Sequence, residues 1–117
     1  SARLANDGNS VTFWRARADD TNAWFRVDME RIVNVGRTKL TFPRPGIWRY
    51  KIEISDDGES NWKLLVDQNH AVSEDAERSD IFPSVSGRVV RVTIVESPVG
   101  QSPAISEIEL FGTQSAQ

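Results

Sequence analysis

Residues 48–58 read WRYKIEISDDG and decide the fold class of this chain. From position 48 to position 54, apolar side chains alternate with charged ones, and this period of two predicts a strand that buries one face. The Asp-Asp-Gly sequence that follows favours a tight turn. We therefore predict a β-hairpin whose second strand runs through residues 62–66.

Similar alternating runs lie on both sides of this hairpin. They predict further strands over residues 24–29, 33–42, 90–94 and 107–110. The second of these runs contains Gly36, where we expect a bulge, and the polar residues 67–87 predict a long surface connection. No helical pattern persists beyond about ten residues. Six to eight strands without a helix indicate a β-sandwich or jelly roll.

The composition is that of one globular domain. The chain has 117 residues, a net charge of −3 from 14 basic and 17 acidic side chains, and no cysteine, which excludes disulfides and thiolate chemistry. Basic residues form no tract, which argues against nucleic acid and anionic membranes as partners. No run of about 20 apolar residues is present that would cross a membrane. We expect one monomeric domain over residues 1–112 and a polar tail or linker over residues 113–117.

Residues 7–12 read DGNSVT and place three oxygen donors, Asp7, Asn9 and Thr12, around a glycine. Calcium prefers such a mixture of carboxylate, amide and hydroxyl oxygens. The alternative is an Asx turn without a metal, because Asp-Gly-Asn is also a common turn composition. At the other end of the chain, Glu107 supplies a carboxylate on the last predicted strand.

The motifs, taken in order, resemble the discoidin superfamily, to which the C-type domains of coagulation factors V and VIII belong. The resemblance rests on five segments, at residues 7–14, 24–29, 50–62, 88–92 and 105–112. It implies an all-β, galactose-binding-like jelly-roll β-sandwich. The variant that the chain resembles most is the carbohydrate-binding module of bacterial glycoside hydrolases. That variant implies a non-catalytic domain whose partners are a glycan or terminal sugar and the parent enzyme, in a secreted, periplasmic or cell-surface location.

The resemblance also implies a structural calcium ion that ties the two ends of the domain together. In the resembled family, the backbone carbonyl three residues before the Asp binds calcium, and this position carries over to Leu4. A Glu on the last strand and the carbonyl before it also bind calcium, and they carry over to Glu107 and Ser106. The expected set of calcium ligands is Leu4, Asp7, Asn9, Thr12, Ser106 and Glu107.

The sugar site implied by the resemblance lies on loops. An Arg that follows a Pro in the related modules carries over to Arg44, which we expect to donate hydrogen bonds to sugar hydroxyls. Arg15 occupies the position of a family histidine, so the expected specificity extends to acidic sugars as well as galactose. Trp48 lies next to the Arg44 loop and is expected either in the core or as a platform on which a sugar ring stacks.

Catalysis is not expected. Glu107 and Glu109 lie about 6.6 Å apart, as in an inverting glycosidase, but on one face of one strand, so we expect calcium at Glu107 and solvent at Glu109. His70 is the only histidine, and the chain has no cysteine for it to activate and no recognisable serine elbow. A catalytic triad or a zinc site is therefore not expected. The alternative function is a structural accessory domain that packs on its parent enzyme. A third possible function is that of a protein-binding or lipid-binding domain. It is disfavoured because loop 97–103 offers only Val99 as an exposed apolar tip.

Overall fold

The computed structural model describes the backbone of residues 2–5, 10–11, 14–18 and 23–112, and the side chains of residues 24–112. These residues form strands and loops without a helix, and none of them forms a helix that could cross a membrane. The strands are β1 (Ala2–Ala5), β2 (Ser10–Val11), β3 (Trp14–Ala18), β4 (Ala23–Thr41), β5 (Arg49–Ser55), β6 (Lys63–Gln68), β7 (Glu77–Glu96) and β8 (Glu107–Phe111). The prediction of an all-β domain is confirmed.

Two long antiparallel strands, β4 and β7, run through both layers of a sandwich. Register shifts between Asp28 and Val33, and between Val35 and Arg37, interrupt their pairing, which is how strands bend from one layer into another. The first layer contains β3, the first half of β4, the second half of β7, β5 and β6. The second layer contains β2, β1, β8, the second half of β4 and the first half of β7. The bulge expected near Gly36 is confirmed.

The predicted hairpin is also confirmed, since β5 pairs with β6 antiparallel. Its turn is closed by Asp57, whose Oδ1 accepts hydrogen bonds from the backbone amides of Glu59 at 2.8 Å and Ser60 at 3.0 Å. These two bonds, followed by those from the Ser55 and Ser60 hydroxyls, lower the pKa of the Asp57 carboxyl below its ordinary value. Gly58 adopts a positive φ of 78°, as the turn requires.

The prediction that residues 67–87 form a long surface connection is wrong. The first half of β7 begins at Glu77 and pairs with β4, which leaves a loop of residues 69–76. This half-strand lies at the edge of the second layer and places few apolar side chains inward. Its most deeply buried side chain is that of Arg78. An edge strand of this kind has no hydrophobic alternation from which to predict it.

The core lies between the layers, and every layer-forming strand with described side chains contributes to it. Phe42 stacks on Trp48 with ring centroids 4.6 Å apart and lies 5.7 Å from Tyr50. The other members include Phe25, Val27, Met29, Val35, Leu40, Ile52, Ile54, Val66, Val90, Val92, Ile94, Ile108 and Leu110.

Strand alternation predicts that Trp14, Trp24 and Trp62 lie in the core, but the side chains of Trp24 and Trp62 lie outside it. Phe25, Val27 and Met29 take the inward positions of β4, so alternation turns Trp24 to the outer face, where it is half-buried. Trp62 precedes β6 and is also half-buried, with the guanidinium of Arg91 above its ring at 3.9 Å. The side chain of Trp14, which was also expected in the core, lies outside the described residues.

Three loops meet at one end of the sandwich, which we call the loop end. They are residues 42–48 between β4 and β5, residues 69–76 between β6 and β7, and residues 97–106 between β7 and β8. The amide of Phe42 donates to the carbonyl of Ala76 at 2.8 Å, and the amide of Ser106 donates to the carbonyl of Thr41 at 2.8 Å. The loop end is therefore one hydrogen-bonded surface.

Candidate functional site

A buried arginine, Arg78, organises the loop end. Its side chain is 7% exposed. The guanidinium donates to the carbonyls of Gly46 at 3.0 Å and Trp48 at 3.3 Å, and to those of Ser73 at 2.6 Å and Asp75 at 2.5 Å. Four of its donor contacts therefore go to backbone oxygens of two different loops. Because Arg presents its donors in a rigid fork, it fixes these two loops relative to each other.

Gly46 lets the loop that carries Arg44 press against the loop after β7. It has a positive φ of 150°, and a Cβ built on it would lie 2.5 Å from Cγ of Pro98. Its amide donates to the carbonyl of Glu74 at 2.9 Å. A residue with a side chain would face both backbone strain and a clash with a rigid ring, so the close approach depends on glycine.

A groove of about 330 Å³ lies beside this contact. Its walls combine an ion pair, in which Nη1 of Arg49 lies 2.9 Å from Oε1 of Glu96, with apolar surface from Pro98 and Val99. Arg49 also donates to the carbonyl of Ala71 at 3.1 Å, which fixes its position. The remaining lining residues are Gly46, Ile47, Glu74 and Ser97. The groove offers charged donors and acceptors together with an apolar wall, the mixture found in small-molecule sites.

Arg44 is exposed on the loop next to this groove. Its carbonyl accepts a hydrogen bond from Nε1 of Trp48 at 2.9 Å, which anchors the backbone beneath the exposed side chain. Trp48 itself is completely buried and stacked on Phe42, so the core alternative holds for Trp48. The expectation that its ring could serve as a sugar platform is corrected, because neither ring face is accessible.

Arg15 lies on β3, directly opposite Arg26 of β4. It stands three residues before Ala18, where β3 ends, so its backbone is roughly 10 Å along the strand from that end. Its position is therefore on the first layer, and the register does not bring it among the loops with Arg44. Its side chain lies outside the described residues.

A second groove, of about 500 Å³, lies on the other side of Arg78 and was not foreseen from the sequence. Asp80 lines it and accepts hydrogen bonds from the Tyr50 hydroxyl at 2.6 Å and from Nε2 of Gln68 at 2.7 Å. Burial, and then the bond to Asp80, raise the pKa of the Tyr50 phenol above its ordinary value of 10.0. The exposed His70 also lines this groove. The residues that line this groove all lie within residues 67–87, which the sequence predicts as a long surface connection.

The expected calcium ligands fall into three groups. Asp7, Asn9 and Thr12 lie outside the described residues. Glu107 begins β8, where it is half-buried and has no hydrogen-bond or ion-pair partner among the described residues. Ser106 precedes it.

Leu4 lies on β1. β1 pairs with β8 in parallel, and the register places the backbone of Leu4 beside Leu110, three residues along β8 from Glu107. Among the described side chains, no three His, Asp or Glu residues are grouped as they would be around a metal.

Glu109, which was expected in solvent, is largely covered and lies 3.7 Å from Nζ of Lys39. The same ammonium lies 3.1 Å from Oε2 of Glu77. Cross-strand pairing on the outer face of the second layer brings these charges together, because Glu109 lies opposite Lys39. The carboxylate is thus part of an ion-pair network.

A protein-family model described as a NedA-like, galactose-binding domain matches residues 4–92. No curated protein matches the chain. The family match covers most of the segments on which the resemblance to the discoidin superfamily rests, and that resemblance is confirmed.

Solved structures with the same fold include modules of glycoside hydrolases. CpGH89CBM32-6 produced by Clostridium perfringens is 24% identical, with a TM-score of 0.71 over 92% of this chain and 81% of that chain. Chitosan-binding module 1 from a chitosanase/glucanase of Paenibacillus sp. IK-5 is 25% identical, with a TM-score of 0.66 over 91% of this chain and 80% of that chain. A family 89 glycoside hydrolase from Clostridium perfringens is 23% identical, with a TM-score of 0.72 over 96% of this chain but only 12% of that chain. The galactose-binding-like fold is confirmed.

Proposed function

The chain belongs to the family of NedA-like, galactose-binding domains, and we propose that it is a non-catalytic carbohydrate-binding module. The observation that carries this proposal is the family match over residues 4–92. The chitosan-binding module from Paenibacillus sp. IK-5, at 25% identity, supports it. We infer that the module serves a linked glycoside hydrolase, as the fold match to 12% of a much longer hydrolase suggests.

The ligand in this proposal is a sugar held at the loop end by Arg44. The exposed guanidinium would donate to neighbouring hydroxyls of the sugar, and the adjacent groove would receive the ring. Its volume of about 330 Å³ lies within the range of small-molecule sites. The three loops expose no aromatic ring, because Phe42 and Trp48 are buried. Hydrogen bonds and the apolar surface of Pro98 and Val99 would therefore replace stacking, which predicts a weak single-site affinity.

Weak affinity is sufficient for a tethered module. A linked binding domain raises the effective concentration of its enzyme near the glycan without any new contact to the substrate. We propose a secreted, periplasmic or cell-surface location for this chain, as its resemblance to modules of bacterial glycoside hydrolases implies.

We propose a structural calcium ion whose ligands come from the turn at residues 7–12 and the start of β8. The half-buried Glu107 carboxylate, which has no hydrogen-bond or ion-pair partner among the described residues, supports this proposal. Asp7, Asn9, Thr12 and the backbone carbonyls of Leu4 and Ser106 complete the proposed set. The ion would join the two ends of the chain, which stabilises the fold without touching the sugar.

A glycan array tests the binding function. The wild-type chain should bind at least one neutral or acidic glycan, and Arg44→Ala should lose most of that signal while keeping its melting temperature. An array without a bound glycan, or one on which Arg44→Ala binds as well as the wild type, contradicts the proposal.

Thermal melting with calcium or with EGTA tests the metal. If calcium is held at about 100 times its dissociation constant, EGTA removes about 2.7 kcal/mol of stability and lowers the melting temperature. The control is Glu107→Gln, which keeps the size of the side chain but removes its charge. This variant should melt at the same temperature with and without EGTA. An equal response of both proteins to EGTA would contradict a site at Glu107.

The accessory-domain function has one observation in its favour. Ile81 is 81% exposed on the outer face of the second layer, where a partner surface could cover it. Ultracentrifugation of the chain with its parent catalytic domain measures this association. Complex formation that Ile81→Ser abolishes, together with an empty glycan array, would favour the accessory role over sugar binding.

A further inference from the structure

We propose that the outer face of the first layer is a second binding site, for a polysaccharide that carries carboxylates. The site is formed by Trp24, Arg26, Lys51, Glu53, Trp62 and Arg91, which we call the Trp–Arg face. It is distinct from the loop end, and its existence does not depend on the sugar site at Arg44.

Cross-strand register builds this face. Arg26 of β4 lies opposite Arg91 of β7, and Arg91 lies opposite Glu53 of β5. In the next row, Trp24 lies opposite Thr93, which lies opposite Lys51. Directly opposite residues of neighbouring strands project to the same side of a sheet. Since Phe25, Val92 and Ile52 are buried between the layers, these two rows face outward.

Arg91 is held in a fixed position on this face. Its Nη2 lies 3.0 Å and its Nε 3.3 Å from Oε1 of Glu53, and its guanidinium lies 3.9 Å from the centre of the Trp62 ring. The side chains of Arg91 and Glu53 remain 28% and 20% exposed. Glu53 occupies the Nε and Nη2 donors, so a ligand carboxylate would accept from Nη1. A guanidinium that is already positioned loses little conformational entropy when it binds an anion.

Arg26 supplies a second guanidinium, which lies close enough to the Asp28 carboxylate to help lower the pKa of that group. Its Nη2 packs against Gly58, in the space that a Cβ would occupy. The turn of the β5–β6 hairpin therefore supports the Arg26 side chain from below. Arg26 and Arg91 are on adjacent strands about 4.8 Å apart, which allows a chain of carboxylated sugars to contact both.

The charge of this face is opposite to that of the whole chain. The net charge of the chain is −3. The rows of the Trp–Arg face contain three basic side chains, those of Arg26, Lys51 and Arg91, and two carboxylates, those of Glu53 and of Asp67, which lies opposite Lys51. β3 extends the first layer beside Arg26 with the sequence WRARA, which contains no acidic residue. A cationic surface on an acidic protein favours an anionic ligand.

The ring systems favour a sugar polymer as that ligand. Half-buried Trp24 and Trp62 offer apolar ring surface at the level of the guanidinium groups, and sugars present C–H groups to such surfaces. A single-stranded nucleic acid would instead require open ring faces for base stacking, whereas Arg91 covers one face of Trp62. A bidentate pair between guanidinium and carboxylate completes the recognition of a uronic acid unit.

Affinity electrophoresis in gels that contain polygalacturonate tests this site. The wild-type chain should be retarded, and a fully methyl-esterified, neutral pectin should not retard it. Arg26→Gln should weaken binding about tenfold, which corresponds to the loss of one charge-assisted hydrogen bond. Lys51→Gln is a second variant on the same face and should weaken binding by a smaller factor. Lys39→Gln changes the net charge equally but lies on the second layer, so it should bind as the wild type does.

Several results would overturn the inference. They are the absence of retardation, equal losses in Arg26→Gln and Lys39→Gln, and binding of single-stranded DNA as tight as that of polygalacturonate. Arg44→Ala separates this inference from the proposed loop site. If Arg44→Ala abolishes retardation and Arg26→Gln does not, the polymer binds at the loop end and the Trp–Arg face is not a site. If the glycan array fails while Arg26→Gln still weakens retardation, the loop site is wrong and the Trp–Arg face remains.

Discussion

The loop end and the Trp–Arg face expose polar side chains in different ways. On the Trp–Arg face, strand register alone decides which residues are neighbours, so Arg26 and Arg91 meet because β4 and β7 pair there. At the loop end the backbone is irregular, and one buried guanidinium, Arg78, donates to carbonyls of two loops. The face therefore tolerates changes to its side chains, whereas the loop end depends on Arg78 and Gly46, which hold its loops together.

Removal of Arg78 should have the largest effect on this comparison. Arg78→Met keeps an apolar stem but leaves four carbonyls, one in a buried and three in part-buried hydrogen bonds, without this donor, which should cost about 3 kcal/mol. Thermal and urea unfolding measure the loss, and sugar binding at the loop end should fall with it. Arg44→Met is the matched control, because it removes an exposed arginine from the same region and should change stability by less than about 0.5 kcal/mol. Equal stabilities of the two variants would show that Arg78 does not organise the loops.

A change at Gly46 should have a smaller effect at the same end. Gly46→Ala adds a Cβ at a positive φ and against Pro98, so we expect a loss of about 2 kcal/mol. Gly100→Ala is the control, since Gly100 has a φ of 81° but no atom within 4 Å of the added Cβ. It should lose only about 1 kcal/mol through backbone strain. Urea unfolding of both variants measures the difference, and a Gly100 variant as unstable as the Gly46 variant would exclude the clash.

The ion pair between Asp28 of β4 and Arg88 of β7 lies at the end of the first layer opposite the loop end. Its removal should have the smallest effect on stability. Nε of Arg88 lies 2.8 Å from Oδ1 of Asp28, and this hydrogen bond lowers the pKa of the Asp28 carboxyl below 3.8. The pair therefore stabilises the fold above about pH 4, and this contribution is lost as the pH falls through the lower pKa of folded Asp28. Arg88→Gln should lower the melting temperature slightly at pH 6.5 and not at pH 2. A difference that is independent of pH would mean that Arg88 acts through packing alone.

Much of the first layer could be predicted from the sequence, because its strands alternate apolar and polar residues over several positions. The hairpin of β5 and β6 is an example, whereas the bulge near Gly36 lies in the second half of β4 and is indicated by its glycine. The first half of β7 could not be predicted from the sequence, because an edge strand that buries an arginine shows no apolar alternation. The four tryptophans show the same limit. Alternation predicts that a strand has an inner and an outer face, but for Trp24 it did not indicate which face is inner.

The candidate functional residues also differ in how far the sequence predicts them. Arg44 could be named from a Pro-Arg dipeptide, and its exposure on the loop end agrees with a ligand-binding role. Arg78 could not be named, because its partners are backbone carbonyls from residues 46–48 and 73–75, and no side-chain pattern encodes them. The sequence allows both a core role and a ligand-binding role for Trp48. Its packing against Phe42 places it in the core.

Isothermal titration tests the central claim most directly, with the glycan selected on the array and three proteins compared side by side. The wild type and Arg26→Gln should bind the glycan with the same affinity, because Arg26 lies outside the loop end. Arg44→Ala should bind at least tenfold more weakly, as expected when a guanidinium that donates to sugar hydroxyls is removed. Equal binding by the wild type and Arg44→Ala, or a loss of affinity in Arg26→Gln alone, would contradict the assignment of the sugar to the loop end.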